Sequence, residues 1–441
     1  MNLLEQYKER LAVSDRVYAK SHLGESMSNA KKLATASCLH NINKFMSEAF
    51  ENSVGTQKSD LGLYKKFALN LTTVAVPSLI AFDLVIVYPM SSMSGFINYL
   101  EYTAGSNKGE TKQGDVFNSP FGLGKVDPNY TSSRVVEPNK VVAEDTDFVI
   151  NLMWKPVITE DGKLADGKIV KVTDGTEITN YTVDSKTGKI KVTGETADTE
   201  VKVGYLYDNV VIPQNDLPIL NVQMKSIALI AKARRIAVYY SQIAAFQAKT
   251  DYGFDLGDQL AEKAVGQLNY EIDTEVCQML IDNAPQDGDL VWSKTLPVGV
   301  SKTEHYEGFT EILEIARQKI YDRTKKFVPN YMLIASNILP IISFIKGWTA
   351  APTGDMNGPY FAGTLNSLKV FVTPNIAPNT FVIGVNGNDM MSSAAVYAPY
   401  MPVVPTQLLG YADGGMSQGF STMYDLKLLN ANLLVAGRVT A

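Results

Sequence analysis

Seven apolar residues at every fourth position, Leu256, Leu260, Ala264, Leu268, Ile272, Val276 and Leu280, constrain this chain more than any other feature. Side chains three and four apart share a helix face, so an unbroken interval of four gives a stripe that winds slowly round the axis. The spacing predicts one helix over 255–282, roughly 40 Å long at 1.5 Å per residue and well above the usual three turns. Asp255 and Asp258 fall in its first turn, where the positive end of the helix dipole favours acids.

The texture changes several times around that helix. Residues 1 to about 60 carry eight Lys or Arg against seven Asp or Glu, with large apolar residues widely spaced after Leu11. Leu3, Leu4, Tyr7 and Leu11 have helical spacing, but the stripe is thin. Such an arm is expected to be flexible alone or ordered against a neighbour. From 65 to 100, Val74, Val76, Leu79, Ala81, Phe82, Leu84, Val85, Ile86 and Val87 read as strand. A polar, Gly-rich stretch follows, with too little periodicity for a core element. Residues 145 to 210 show short alternating runs broken at Asp174-Gly175, Lys186-Thr187-Gly188 and Gly194. Ile169, Val170 and Val172, then Ile190 and Val192, then Val201, Val203 and Tyr205 predict a compact all-β insert of hairpins. Beyond the long helix come a helix at about 306–326, a strand in PNYMLIAS, a short helix in NILPIISFIKGW, and strands in LKVFVTPN and NTFVIGVNG.

A chain of 441 residues predicts two or three domains. Its net charge of −6 gives no basic footprint for sequence-independent nucleic-acid binding. Cys38 and Cys277 are the only cysteines, which excludes a disulfide framework and a Cys-based metal site and fits a reducing compartment. The first twenty residues lack a signal-peptide core. The apolar run at 71–90 has membrane-spanning length, yet Pro77, Asp83 and Pro89 interrupt it, so buried strands and no membrane association are expected.

Candidate chemistry is sparse. His22 and His40 read as exposed residues of the arm, and His305 as a solvated first-turn residue of a helix. No nucleophile elbow, metalloprotease pair or phosphate loop occurs, so no catalytic, metal or cofactor-binding residue is named and the chain reads as no enzyme. Lys225, Lys232, Arg234 and Arg235 form the one local charge concentration and read as strand-edge or interface charges paired with acids of a neighbouring chain. The stretch SSAAVYAPYMPVVPTQLLGYADGG, 392 to 415, crowds three tyrosines among three prolines, too Pro-rich for a helix or a central strand. Tyr397, Tyr400 and Tyr411 are candidates for subunit contacts or the domain junction, with packing of the chain's own core as the alternative.

The order of these elements resembles the major capsid proteins of tailed bacteriophages, with the HK-97-like fold. PSLIAFDLVIVYPMSSMSG at 77–95 is similar to a T-even-type segment, with Tyr88 where Gln is usual. KARRIAVYYSQIAAFQAKTDYGFDLGDQLAEKAVGQLNYEIDTEV at 232–276 resembles that subgroup's entry into the spine helix. NGPYFAGTLNSLKVFVTPN at 357–375 and AAVYAPYMPVV resemble an axial-domain turn and the start of the closing strands. The resemblance implies an α+β fold: an N-terminal arm at 1–64, a first peripheral part at 65–100, and an E-loop region at 101–220 carrying the insert at about 145–210. It further implies a peripheral domain with spine helix at 221–290, an axial domain at 291–394 and closing peripheral strands at 395–441.

The implied function is a self-assembling subunit of a DNA-filled head, in hexamers with pentamers as an open alternative. The implied partners are further copies, scaffold and portal proteins, decoration or vertex proteins, and double-stranded DNA enclosed without sequence-specific contact. The implied place is the virion, assembled in the host cytoplasm. Neither N-terminal cleavage nor covalent crosslinking is carried over, and no cofactor is implied. An encapsulin-like compartment shell and a surface-binding protein using the insert are the competing readings.

Overall fold

The computed structural model describes residues 3–22, 24–51, 58–124, 129–144, 147–210, 217–351, 358–387, 389–406 and 408–440. They divide into a larger unit, Met1–Ile97 with Ile227–Ala441, and a smaller one, Asn98–Ser226.

The periodic stretch forms one helix, Leu256–Asp282, in the larger unit. Asp255 stands just outside as the N-cap, its carboxylate accepting from the Gly257 amide at 2.9 Å. The every-fourth stripe drifts as expected: Leu256 and Leu260 are half-buried, while Ala264, Leu268, Ile272, Val276 and Leu280 are buried. The drift lets one helix serve two cores. Ala261, Ala264, Val265 and Leu268 pack with Ala75, Val403 and Phe420, whereas Ile272, Val276, Cys277 and Leu280 enter the main core of the unit.

That main core surrounds a seven-stranded sheet in the order Gln286–Ser293, Leu434–Thr440, Thr380–Gly384, Tyr331–Ala335, Leu368–Thr373, Tyr360–Leu365, Trp348–Ala350. Tyr331–Ala335 pairs in parallel with Leu368–Thr373 and antiparallel with Thr380–Gly384. Both Tyr331–Ala335 and Thr380–Gly384 are buried at every residue, which explains their continuous apolar runs: a strand covered on both faces has no polar side to alternate with. Gly363 sits at a register shift with φ 153, and an added Cβ there would lie 2.2 Å from the Thr349 carbonyl oxygen. The helix expected at 306–326 divides at Gly308 into Lys302–Glu307 and Phe309–Thr324. Ser301 and Glu304 close a capping box at the start of the first. Phe309, Leu313, Ala316 and Ile320 bury the second helix in the main core.

A second, five-stranded sheet in the larger unit runs Ile86–Val87, Ala395–Pro405, Gly415–Leu428, Lys232–Ser241, with Leu409–Gly410 also on Gly415–Leu428. The Pro-rich stretch is therefore a strand with neighbours on both sides, contrary to the expectation from its prolines. Pro402 falls at the register shift between Met401 and Val404, where no ladder position needs its missing N–H, while Pro399 and Pro405 stay in register with Tyr424 and Phe420. Ile86–Val87 pairs only with Val396 and Tyr397. Beyond that the Asn41 side-chain amide donates to the Met90 and Tyr400 carbonyls at 2.7 and 2.9 Å.

Two further expectations change. Residues 58–75, read partly as strand, form the helix Lys58–Ala75, followed by Ala81–Leu84; only Ile86–Val87 and Ser94–Ala104 are strands. The strand signal began at Val74, inside the helix's last turn; just before it the β-branched Thr72 and Thr73 are buried and donate their hydroxyls within the helix, to the Ala68 and Leu69 carbonyls at 2.9 and 2.7 Å. The arm is likewise ordered against its own chain, as helices Leu3–Gln6, Lys8–Ser21 and Asn29–Glu51. Tyr7, Leu11, Ala36, Leu39, Ile42 and Met46 bury a shared stripe against Met401 and Val404. Small residues between the large ones, Ala34, Thr35 and Cys38, are buried too and let the helix approach closely.

The smaller unit carries strands and no helix among its described residues. Arg134–Lys140, Glu200–Leu206 and Lys168–Lys171 form one antiparallel sheet; Val142–Glu144, Asp147–Asn151, Lys189–Val192 and Tyr181–Asp184 form another. Of the residues read as strand, Ile169, Ile190, Val192, Val201, Val203 and Tyr205 are buried together with Trp154 and Tyr207, whereas Val170 is half-buried and Val172 exposed. The β module starts at Arg134, about a strand earlier than the boundary at 145, because Arg134–Lys140 pairs with Glu200–Leu206. The polar stretch before it also contributes to burial, since Lys108 and Tyr130 are enclosed.

Candidate functional site

Of the four basic residues grouped in sequence, two are neutralised inside the chain. Lys225 meets Glu101 at 2.6 Å, and that hydrogen bond holds its ammonium above the usual lysine range. Arg234 meets Glu275 at 2.5 Å and Glu271 at 3.5 Å on the long helix, over the ring of Tyr424, whose hydroxyl donates to the same Glu275 carboxylate. Both were expected to pair with a neighbouring chain; both find acids of their own. Lys232 and Arg235 are exposed on the edge strand Lys232–Ser241, without an ionic partner among the described residues.

The three tyrosines separate. Tyr397 is 1% exposed in the chain's own core against Tyr424, ring centroids 5.3 Å apart, which leaves it no surface for a neighbour. Tyr400 is half-buried between two apolar clusters. Tyr411 is exposed beside Tyr239, ring centroids 6.3 Å apart.

The densest buried chemistry lies where the sequence reading saw a solvated arm. His22 is buried, its Nε2 2.7 Å from Asp83 Oδ2, and its ring stacks between Tyr18 and Phe361 at 4.0 and 5.3 Å. Lys31 Nζ approaches Asp83 Oδ1 at 2.5 Å, and the Tyr18 hydroxyl donates to that oxygen at 2.7 Å. Burial alone would raise the Asp83 pKa; the His22 hydrogen bond and the Lys31 charge outweigh it and hold the carboxyl well below the usual range. Beside it, burial pushes Asp273 up to about 7, although the Ala81 and Ile80 amides donate to it and the nearby Asp83 charge adds to the rise. The signal for this cluster was one acid, Asp83, inside an apolar run. His305 is half-buried, its ring stacked on Trp292 at 4.8 Å and its Nε2 2.9 Å from the Ser293 carbonyl.

Asp273 makes stability depend on pH. A carboxyl whose folded pKa is raised stabilises the fold fully below the unfolded value near 4 and loses that contribution as pH rises through about 7. Denaturant titrations of the chain should therefore show unfolding free energy falling between pH 4 and 7 by a few kcal/mol, on the order of 3. Asp273→Asn should flatten that limb; an unchanged slope would place the titration elsewhere.

Among the described residues no three His, Cys, Asp or Glu side chains come together as a metal site, and no helix is long and apolar enough to cross a membrane. Cys38 and Cys277 are buried thiols that burial pushes up, Cys38 to about 12. The arrangement offers ionic and aromatic clusters that bind parts of the chain to each other and exposed apolar surface.

Residues 62–439 match the family described as Major capsid protein Gp23. The major capsid protein of Enterobacteria phage T4 is 21% identical over 392 residues, 80% of this chain and 73% of the relative. That of Vibrio phage KVP40 is 22% identical over 222 residues, 45% of this chain and 43% of the relative. Among solved structures, the capsid of Myoviridae phage XM1 aligns with a TM-score of 0.36 and 7% identity, over 64% of this chain and 89% of that one. With the family match spanning residues 62–439, the chain belongs to the major capsid protein Gp23 family, the structural shell subunits of tailed bacteriophages.

Proposed function

We propose that the chain builds hexamers, and pentamers where a closed shell needs them, in a head that encloses double-stranded DNA without reading its sequence. The observation that carries this reading is the family match across 62–439. In this reading the organisation is HK-97-like: Leu256–Asp282 is the spine helix, residues 101–220 are an E-loop region carrying the β module, and the seven-stranded sheet belongs to the axial domain, which takes Leu434–Thr440 out of the segment 395–441 expected to close the peripheral domain. Exposed Leu220, Val222 and Met224, alternating along one strand face of the smaller unit, support a loop that a neighbouring copy covers. Heterologous contacts that close into rings supply the assembly. Scaffold and portal proteins, decoration or vertex proteins, and assembly in the host cytoplasm belong to the same reading. Particles containing this chain should hold nuclease-protected DNA; particles filled with a protein cargo would instead support an encapsulin-like compartment.

The β module is expected on the outer face, because a folded module of mixed charge would be crowded against packaged DNA. Limited proteolysis of intact particles should cut within 160–205, at turns such as Asp174-Gly175 where the backbone is exposed. Full protection there would place the module inside the shell or under a neighbour.

A further inference from the structure

His22 closes the helix Lys8–Ser21, standing at its C-cap where the last turn leaves carbonyls without amide partners. Its buried ring stacks between Tyr18 and Phe361, with interplanar angles of 7° and 16°. The two ring nitrogens meet the same kind of atom. Nδ1 lies 3.1 Å from the Tyr18 carbonyl oxygen, and Nε2 lies 2.7 Å from Asp83 Oδ2. Both oxygens are acceptors, so each nitrogen must bring a proton, and a neutral imidazole carries only one. The setting favours the cation further. The negative end of a helix dipole faces it, aromatic faces cover it, and the carboxylate opposite is held ionised.

The groups round the ring come from separate segments of the larger unit. Asp83 lies on the short helix Ala81–Leu84, with Asp273 of the long helix close enough to feel its charge. Lys31, on Asn29–Glu51, is a like charge that opposes the imidazolium. It meets the other carboxylate oxygen, Oδ1, which also accepts from the Tyr18 hydroxyl. Glu25, in the turn after His22, pairs at 2.8 Å with Lys369 of the strand Leu368–Thr373. The strand Tyr360–Leu365 contributes the ring of Phe361. The turn is fixed on its other side as well: Gly24 adopts φ 83, and Asp15 accepts from the Met27 amide at 2.6 Å and the Ser26 hydroxyl at 2.7 Å.

We propose that His22 is a proton-operated catch for the N-terminal helices: the docked arm requires its imidazolium, and deprotonation releases Lys8–Ser21 and Asn29–Glu51. In the neutral ring one nitrogen would turn a lone pair toward an oxygen lone pair. Water does not reach the site to replace the lost contact, since the His22 and Asp83 side chains are 6% and 1% exposed. Docking takes up a proton wherever the free arm holds the histidine neutral. It therefore weakens as pH rises above about 6.5, the value of a solvated histidine, by up to tenfold per pH unit. Release uncovers Met401 and Val404, which the arm buries. The catch is a two-state element of the single chain, biased by one proton, and does not rest on the shell-subunit reading.

The test is hydrogen exchange of the full chain from pH 7 to 9.5, corrected for the intrinsic rate. Arm peptides within residues 8–46 are referenced to the buried strand Tyr331–Ala335, so that titration of Asp273 cancels. Arm protection relative to that strand should fall by tenfold or more across the range. His22→Gln, which keeps an uncharged donor, should begin with a looser arm and change by less than about threefold. Phe361→Leu removes one ring face and should move the release to lower pH by about half a unit. Nuclear magnetic resonance of the chain carrying carbon-13 at histidine Cε1 reads the charge itself. The His22 signal, assigned by its loss in His22→Gln, should keep the imidazolium shift for as long as the arm stays protected. A neutral His22 signal in a chain whose arm is still protected would overturn the proposal. So would arm protection that is constant to pH 9.5, or one that falls equally in wild type and His22→Gln.

Discussion

Replacing Asp83 with alanine is expected to lower the unfolding free energy of the larger unit by about 3–5 kcal/mol, the cost of leaving buried charge without its partner. The Asp83 side chain is 1% exposed and faces His22 at 6% and Lys31 at 18%, so bulk water cannot replace the lost carboxylate. The cluster also ties three parts of the chain together: the end of Lys8–Ser21, the start of Asn29–Glu51 and the short helix Ala81–Leu84. The damage should therefore reach the N-terminal helices, seen as faster proteolysis within residues 8–51. Asp83→Asn keeps the shape but not the charge and should lose nearly as much. The pH dependence has the opposite sign to that of Asp273. A depressed carboxyl stabilises the fold above the unfolded value near 4 and loses that contribution as pH falls below it, so the variant should lose its share of the acid limb. Denaturant melts of wild type and Asp83→Ala at pH 7 and pH 3 measure both effects. A change within ~0.5 kcal/mol at pH 7 would show that the cluster contributes nothing to stability.

The second large effect is expected in the smaller unit. Lys108 is 1% exposed; its Nζ donates to the Tyr130 and Ser132 carbonyls at 2.8 and 2.5 Å and to the Tyr207 hydroxyl at 2.9 Å, near the rings of Trp154 and Tyr207. A buried ammonium is tolerated there because all three of its donors find oxygen and two ring faces supply negative charge. Lys108→Ala strips those partners of their donor and opens a cavity, for an expected loss of about 2–4 kcal/mol. Lys108→Met keeps the stem and separates the two contributions. Hydrogen exchange should rise across 134–207 while Tyr331–Ala335 stays protected. Equal protection in both regions of the variant would mean that Lys108 does not hold the module.

What the sequence revealed follows the range over which each element is specified. The long helix was legible because its burial repeats within one segment. The hairpins of the β module were legible because alternation and glycine turns are local, as at Gly188, which closes Tyr181–Asp184 onto Lys189–Val192 with φ 66. The helix Lys58–Ala75 was not, because tertiary packing and back-bonding hydroxyls overrode the β preference of Thr72, Thr73 and Val74. The strand Ala395–Pro405 was legible only through the resemblance, because its prolines argue locally against a strand; of the three only Pro402 sits at a register shift, and the pairing with Gly415–Leu428 is set by a distant segment. Asp83 meets groups 52 and 65 residues away, a distance no periodicity spans. The basic cluster was visible as charge, but which members are satisfied in the chain depends on Glu101, Glu271 and Glu275, all distant in sequence.

The central claim, a subunit that assembles with itself into a shell, is tested most directly by light scattering after size exclusion, paired with negative-stain electron microscopy of the same fractions. The expected result is rings, tubes or closed shells built from hexamer-like units. A stable, monodisperse monomer near 48.3 kDa that never assembles, even beside a co-expressed scaffold, would contradict it.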